Sequence, residues 1–175
     1  MVRVFAYGSN LCVERLRART PSAQVLAVGT LSHHSLRWHK RSQDGSGKCD
    51  AFETGLSHDL VWGVVYELTR PDKLILDGFE GLGDDYFEKK VGVWTRDRGE
   101  VEAMVYVANS RQLDAAMRPY SWYKGYVTTG AAQHDFPAEY RALLDAVDAQ
   151  KDENKERHAR ERAVLDLALR QSRDG

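Results

Sequence analysis

The chain opens with the stretch VRVFAYGSNL, residues 2–11, in which a mainly apolar run gives way to a glycine and two small polar residues. Residues 2–7 are rich in apolar and β-branched side chains, which is typical of a short buried strand. A partial helical stripe follows, which Ser9 or Asn10 can cap and Pro21 ends. The chain is therefore predicted to begin with a strand, a tight loop and the start of a helix.

This tight loop, Gly8-Ser9-Asn10, is the first candidate binding site. A glycine lets the backbone approach a ligand closely. The first N–H groups of a helix have no partners within the helix, so they can receive a carboxylate or an oxyanion. Plain helix capping accounts for the same residue types, and the loop alone does not decide between the two interpretations.

Short strand-like runs continue to residue 107. They cover residues 24–31, 35–39, 51–56, 60–68, 86–94 and 101–107. Helices are predicted at residues 70–76, where Pro71 is well placed near a helix start, and at residues 121–132 and 137–149. So many strands in a short domain favour a sheet that curls toward a barrel, with helices packed outside.

The end of the chain differs in composition. Residues 151–162 are nearly all charged, and an apolar stripe returns only after Arg162. We therefore predict a domain at residues 1–149, followed at residues 150–175 by a charged, exposed C-terminal helix or tail that is a candidate partner contact. On this interpretation, a chain cut after Gln150 keeps a folded, active domain.

Composition excludes several classes of protein. The 175 residues include 42% hydrophobic ones and carry a net charge of −1, which suits one globular domain and gives no field for binding nucleic acid or an anionic membrane. No apolar stretch approaches the roughly 18 residues of a membrane span, and residues 1–7 do not resemble a signal peptide. We expect a cytoplasmic protein with no nucleic-acid or membrane partner.

The cysteines and histidines show no metal-binding spacing. Cys12 and Cys49 lie in unrelated contexts, which indicates two free, buried thiols. His33, His34 and His39 have neither helical i, i+4 spacing nor a paired-cysteine motif beside them. We predict no metal site.

A second candidate site is LDGFEGLG, residues 76–83, where Glu80 follows Phe79 in a predicted apolar loop. Burial there would desolvate the carboxyl group and raise its pKa toward the range useful for proton transfer at neutral pH. Four other acids nearby lie in polar or strand-edge contexts typical of solvated or turn-forming side chains: Asp77, Asp84, Asp85 and Glu88. Glu80 is therefore the best candidate for a general base.

Four blocks of the sequence stand in a distinctive order. They are YGSNL at residues 7–11, VWGVVYEL at 61–68, LDGFEG at 76–81, and a last block with Tyr123, Gly130-Ala131 and FPAEY at 136–140. In order and spacing they resemble the γ-glutamylcyclotransferase family, over residues 2 to about 147. The Tyr-Gly-Ser-Asn form is similar to γ-glutamylcyclotransferase proper and to its aminoglycoside-pathway relatives. The branches that degrade glutathione or act on γ-glutamyl-lysine carry different residues after Tyr-Gly.

The resemblance implies an α+β fold with a small closed or nearly closed mixed β-barrel of about six strands, flanked by helices, whose mouth holds a γ-glutamyl group. It implies that Glu80 is the catalytic acid and base. The residues that it implies for substrate binding are Tyr7, Gly8, Ser9, Asn10, Leu11 and Tyr123. The chain departs from the family at Phe79, where a polar residue is common, and after Gln150.

The implied enzyme is of the acyltransferase or amidine-lyase type and needs no cofactor, metal or cysteine nucleophile. The α-amino group of a γ-glutamyl compound attacks its own side-chain carbonyl, which releases 5-oxoproline and a free amine or amino acid. The partner is then a small γ-glutamyl molecule, and the chain is a monomer or a homodimer. The alternative is a non-catalytic protein that binds a γ-glutamyl or amino-acid ligand. Glu80 argues for the enzyme, because a protein that only binds has no use for a desolvated acid.

Overall fold

The computed structural model describes residues 1–174, which form seven strands and five α-helices. The strands are β1 Val2–Ala6, β2 Gln24–Ser32, β3 His34–Arg41, β4 Gly47–Glu53, β5 Leu60–Leu68, β6 Tyr86–Thr95 and β7 Gly99–Ala108. The helices are α1 Val13–Arg19, α2 Arg70–Glu80, α3 Ser121–Gln133, α4 Ala138–Asp145 and α5 Lys155–Asp174. Short 3-10 turns follow β1 at Ser9–Leu11 and β7 at Ser110–Gln112.

Five of the strands close into a barrel in the order β1-β5-β2-β6-β7. The β1–β7 pair is parallel and the other pairs are antiparallel, so the barrel is mixed. The predicted α+β barrel with flanking helices is confirmed. The barrel has five strands rather than about six, because β3 and β4 pair with each other in a separate two-stranded sheet.

Two glycines allow neighbouring strands of the barrel to pack closely. A Cβ atom at Gly63 would lie 2.5 Å from the carbonyl oxygen of Ala6, and one at Gly29 would lie 2.6 Å from that of Trp94. Both distances are too short for any side chain. The tight packing surrounds a core that includes the fully buried Phe5 of β1. The end of β1 is therefore fixed inside the molecule.

Helix α2 is longer than the sequence indicated. Thr69 caps its start by accepting a hydrogen bond from the backbone N–H of Asp72, and Gly81 ends it in the left-handed conformation at φ 61°. The prediction that the helix stops at residue 76 and that Glu80 lies in a loop is wrong. Glu80 is the last residue of α2, because the helix continues through Gly78 and ends only at the next glycine.

The start of α1 is also held differently from the prediction. Neither Ser9 nor Asn10 caps this helix, which has Cys12 at its N-cap and no side-chain cap there. The side-chain oxygen of Gln133, on α3, instead accepts a hydrogen bond of 3.1 Å from the backbone N–H of Val13. The side chains of Ser9 and Asn10 are therefore free of a capping role. Cys12 and Cys49 are both free and buried, as predicted.

The C-terminal helix α5 packs against α3 and α1. Leu165 is only 2% exposed, and Ala168 is fully buried. Glu161 accepts hydrogen bonds from the guanidinium of Arg15 at 2.7 Å and from the hydroxyl of Tyr126. The expectation that this segment buries little is therefore wrong, because Leu165 and Ala168 lie in the core. The division of the chain at residue 149 remains a prediction.

Within residues 1–174, no helix has the length and apolar character that crossing a membrane would require.

We predict that α5 contributes to stability through Leu165. The substitution Leu165→Ala should lower the free energy of unfolding by about 2–4 kcal/mol, because it leaves a cavity against α3. Leu167→Ala is the matched control, since Leu167 is 50% exposed and its loss should cost about 0.5 kcal/mol or less. Urea denaturation of both variants measures the difference. Equally small losses would show that α5 is not part of the folded domain.

Candidate active site

A pocket opens where β1 ends, and it holds about 480 Å³ of space free of protein atoms, including its opening to solvent. Most of the predicted site residues meet here, although they are far apart in sequence. The predicted residues that line it are Tyr7, Gly8, Ser9, Asn10, Glu80 and Tyr123. Other lining residues with polar or sulfur atoms, which the sequence analysis did not select, are Cys49, Tyr66, Tyr86 and Tyr106.

The turn after β1 lies tightly between two other segments of the chain. A Cβ atom at Gly8 would lie 3.1 Å from Cys49 Cβ and 3.2 Å from the hydroxyl oxygen of Tyr123. On the other side, a Cβ at Gly130 of α3 would lie 2.4 Å from the backbone carbon of Leu11. The turn can therefore present its backbone to the pocket, with little room for added atoms.

Leu11 does not line the pocket formed by residues 1–174, unlike the other residues of the predicted binding loop. Its side chain is buried in the core. Its carbonyl oxygen accepts a hydrogen bond of 3.2 Å from the hydroxyl of Tyr66 and lies 3.1 Å from Nε2 of His134. Leu11 thus holds the turn against the core through its side chain and its carbonyl oxygen, and it does not contribute to the lining of the pocket.

Three buried tyrosine hydroxyls surround the pocket. Tyr7 donates to the carbonyl of Tyr106, and Tyr86 donates to the carbonyl of Cys49 at 2.9 Å. The hydroxyl oxygen of Tyr123 accepts a bond of 3.0 Å from the N–H of Cys49. Burial raises the pKa of Tyr7, Tyr86 and Tyr123 well above 10, so all three are neutral at physiological pH. Tyr123 therefore contacts both the backbone and the side chain of Cys49 while it lines the pocket.

Glu80 stands at the edge of the pocket with a side chain that is 16% exposed. Its Oε1 atom accepts a hydrogen bond of 2.8 Å from the side-chain amide of Asn10 and lies 3.5 Å from the NH1 atom of Arg19. The carboxyl group therefore has a polar, cationic environment in place of the apolar loop expected from the sequence. Burial lowers the pKa of Arg19 to about 10, and its guanidinium is still charged at neutral pH.

The four competing acids do not line the pocket in the described part of the chain. Asp77 is held by Lys73 and by the hydroxyl of Tyr106 at 2.6 Å. Two others form ion pairs, Asp85 with Lys40 at 2.8 Å and Glu88 with Lys73 at 2.6 Å, and the fourth, Asp84, is exposed. Among these acids, only Glu80 can meet a ligand in this pocket.

The three histidines considered as metal ligands do not converge on one point. His39 contacts Asp50 at 3.0 Å, whereas His34 contacts the carbonyl of Ser32 at 2.7 Å. Among the side chains described, those of residues 1–170, no group of three or more His, Cys, Asp or Glu could hold a metal ion.

Comparisons with known proteins agree with this architecture. Residues 60–144 match the model of the AIG2-like family. The γ-glutamylcyclotransferase of Homo sapiens is 31% identical over 150 residues, which cover 82% of this chain and 77% of the human protein. That of Mus musculus is 29% identical over 163 residues, covering 86% of this chain and 81% of the mouse protein.

A solved structure of a γ-glutamyl cyclotransferase superposes with a TM-score of 0.81 at 26% identity, covering 97% of this chain and 98% of the other. The likeness thus includes both the barrel and the flanking helices. Together with the sequence identity over most of both chains, it shows that this protein belongs to the γ-glutamylcyclotransferase family of enzymes.

Proposed function

We propose that this enzyme converts a γ-glutamyl-amino acid or a γ-glutamyl-amine into 5-oxoproline and the free amine. The observation that carries the proposal is the setting of Glu80 at the pocket. Its Oε1 atom is held by Asn10, while no hydrogen-bond donor among the side chains that the structure describes, those of residues 1–170, contacts Oε2. One carboxylate oxygen is therefore fixed and the other is open to a ligand, which suits a group that accepts and returns a proton.

The reaction uses a nucleophile that the substrate itself carries. The α-amino nitrogen attacks the γ-carbonyl carbon, a C–N bond closes the five-membered ring, and the original amide C–N bond breaks. The amino group is an ammonium ion at neutral pH, so it must lose a proton before it attacks. Two protons leave this nitrogen in all, because it is an ammonium ion in the substrate and carries a single hydrogen in the lactam. Glu80 accepts them one at a time at Oε2 and delivers each to the departing nitrogen, which leaves as an ammonium ion.

The turn after β1 would bind the anionic part of the substrate. It is a 3-10 turn, and the N–H groups of Ser9 and Asn10 at its start have no partners within the turn. They can donate to the α-carboxylate or to the oxyanion that develops during ring closure. Tyr123, which also lines the pocket, would contact the substrate beside this turn.

The substrate class can be tested by direct product measurement. We expect 5-oxoproline from at least one member of a panel of γ-glutamyl dipeptides, γ-glutamyl amines and glutathione. The member with the highest kcat/KM identifies the leaving group. Ligand binding without product from any of them would contradict the proposal and would favour a protein that only binds γ-glutamyl compounds.

We predict that Glu80→Gln separates binding from turnover. This change keeps the size of the side chain and removes the basic carboxylate. Turnover should fall by about 10² to 10⁴-fold, the usual contribution of a positioned general base, while the affinity for the substrate stays close to that of the parent. The measurements are 5-oxoproline formation and calorimetric binding.

Two amide substitutions are the controls for Glu80→Gln. Asp84→Asn changes an exposed side chain and should leave turnover and stability unchanged. Asp77→Asn should lose stability, because Asp77 is bound to Lys73 and Tyr106, but keep its turnover per folded molecule. Parental turnover in Glu80→Gln together with an inactive Asp77→Asn would show that the proton carrier has been assigned to the wrong acid.

A further prediction concerns Gly8. Gly8→Ala should raise KM by about tenfold, equivalent to about 1.4 kcal/mol of lost binding, because the new methyl group crowds Cys49 and Tyr123 at the pocket. Gly8→Val should abolish binding. Gly78→Ala is the matched control, since no atom lies within 4 Å of a Cβ placed there. An unchanged KM in Gly8→Val would show that the turn does not approach the substrate.

A further inference from the structure

Arg19, at the end of α1, contacts two polar side chains that line the pocket, Asn10 and Glu80. Its NH1 atom donates a hydrogen bond of 3.1 Å to Oδ1 of Asn10 and lies 3.5 Å from Oε1 of Glu80. The side chain of Arg19 is only 18% exposed. No motif in the sequence singles out this residue, although the structure links it directly to the candidate acid and base.

The first consequence is that Arg19 fixes the orientation of the Asn10 amide. An arginine can only donate hydrogen bonds, so the amide oxygen of Asn10 must face Arg19. The NH₂ group then faces Glu80, to which it donates at 2.8 Å. The flipped amide would set its oxygen against the carboxylate and its NH₂ group against the guanidinium, and both contacts would be repulsive.

The second consequence concerns the two oxygens of Glu80. Oε1 receives the hydrogen bond from Asn10 and lies beside the positive charge of Arg19. In the described part of the chain, Oε2 has no such donor. The pair formed by Arg19 and Asn10 thus makes the two oxygens unequal and leaves Oε2 for proton transfer.

The aromatic neighbour of Glu80 supports the same arrangement. The guanidinium carbon of Arg19 lies 4.7 Å from the centre of the Phe79 ring, and Phe79 is otherwise 57% exposed. A cation over an aromatic face is held by electrostatic attraction. This contact gives a physical reason for phenylalanine at a position where a polar residue is common in the family, since the ring packs against the arginine.

We propose that Arg19 is a positioning residue of the cyclisation reaction, which acts through Asn10 to hold Glu80 with Oε1 bound and Oε2 directed to the α-amino group of the substrate. The inference rests on the proposed function of Glu80. Arg19 itself does not line the pocket formed by residues 1–174. Its loss should therefore act on turnover rather than on substrate affinity.

The variant Arg19→Gln tests this role. We expect kcat to fall by about 10- to 100-fold, because a misplacement of about 1 Å in a reacting group costs up to about 100-fold. KM should change by less than about threefold, since the binding turn is intact. Arg19→Lys keeps a donor and a charge and should recover part of kcat. A raised KM with parental kcat would overturn the proposal and assign Arg19 to substrate binding.

Arg15→Gln is the matched control on the same helix. Arg15 is also a buried arginine in an ion pair, with Glu161 of α5 at 2.7 Å, but it does not contact Asn10 or Glu80. This variant should lose stability and keep the parental kcat per folded molecule. Equal losses of kcat per folded molecule in Arg15→Gln and Arg19→Gln would show that losing either ion pair of α1 impairs turnover, which contradicts a specific role for Arg19.

A double-mutant cycle separates positioning from a general structural effect. In a Glu80→Gln background there is no carboxylate left to position, so adding Arg19→Gln should reduce the residual turnover by less than about threefold. Multiplicative losses would overturn the proposal. If Arg19→Gln does not fold, the same cycle is run with Arg19→Lys. Parental turnover in Glu80→Gln alone would instead reject the proposed function of Glu80, so the two failures are distinguishable.

Discussion

The hydrogen bond between the Asn10 amide and the Glu80 carboxylate, 2.8 Å long, joins two parts of the chain that the fold must bring together independently. Asn10 lies in the turn after β1, and the pairing of β1 with β5 and β7 fixes the end of that strand in the barrel. Glu80 lies in the last turn of α2, and this helix ends at Gly81. The candidate site exists only where these two ends meet, so errors in strand packing or helix length would both disrupt it.

The surrounding structure restrains the turn at this meeting point from several sides. Gly130 of α3 allows the helix to approach Leu11, and Gln133 of the same helix binds the backbone where α1 begins. Helix α5 in turn holds α1 and α3 through Glu161, which contacts both Arg15 and Tyr126. The C-terminal helix is thus connected to the site through α1, whose last residue is Arg19.

The density of short strands and the family resemblance predicted the barrel. The two segments that meet at the candidate site were selected because their signals are local: a strand that stops at Gly8-Ser9-Asn10, and an acid beside glycines. Prediction from the sequence failed where a distant contact decides the structure. Residues near α1 cannot show that its first free N–H binds Gln133 rather than Ser9 or Asn10. Residues 78 and 81 are both glycines, and sequence alone does not tell which one ends the helix.

Two further features were not predicted from the sequence: the buried face of the charged helix α5, and the tyrosines of β6 and β7 that line the pocket. The many charges of α5 concealed the three-residue spacing of Leu165 and Ala168, which places both on its buried face. Tyr86 and Tyr106 look like ordinary strand residues, and only the pairing of β6 with β7 beside β1 brings them to the pocket. Arg19 had no signal of its own, because its role depends on the position of Glu80, which follows from the length of α2.

The position of the substrate amine relative to Glu80 is the central claim, and a crystal structure of the Glu80→Gln variant with a bound γ-glutamyl compound measures it directly. The account predicts the α-amino nitrogen within about 2.6–3.2 Å of the side chain at position 80, on the side opposite Asn10. It also predicts the γ-carbonyl oxygen or the α-carboxylate against the N–H groups of Ser9 and Asn10. An α-amino group that lies against another acid, out of reach of position 80, would contradict the account.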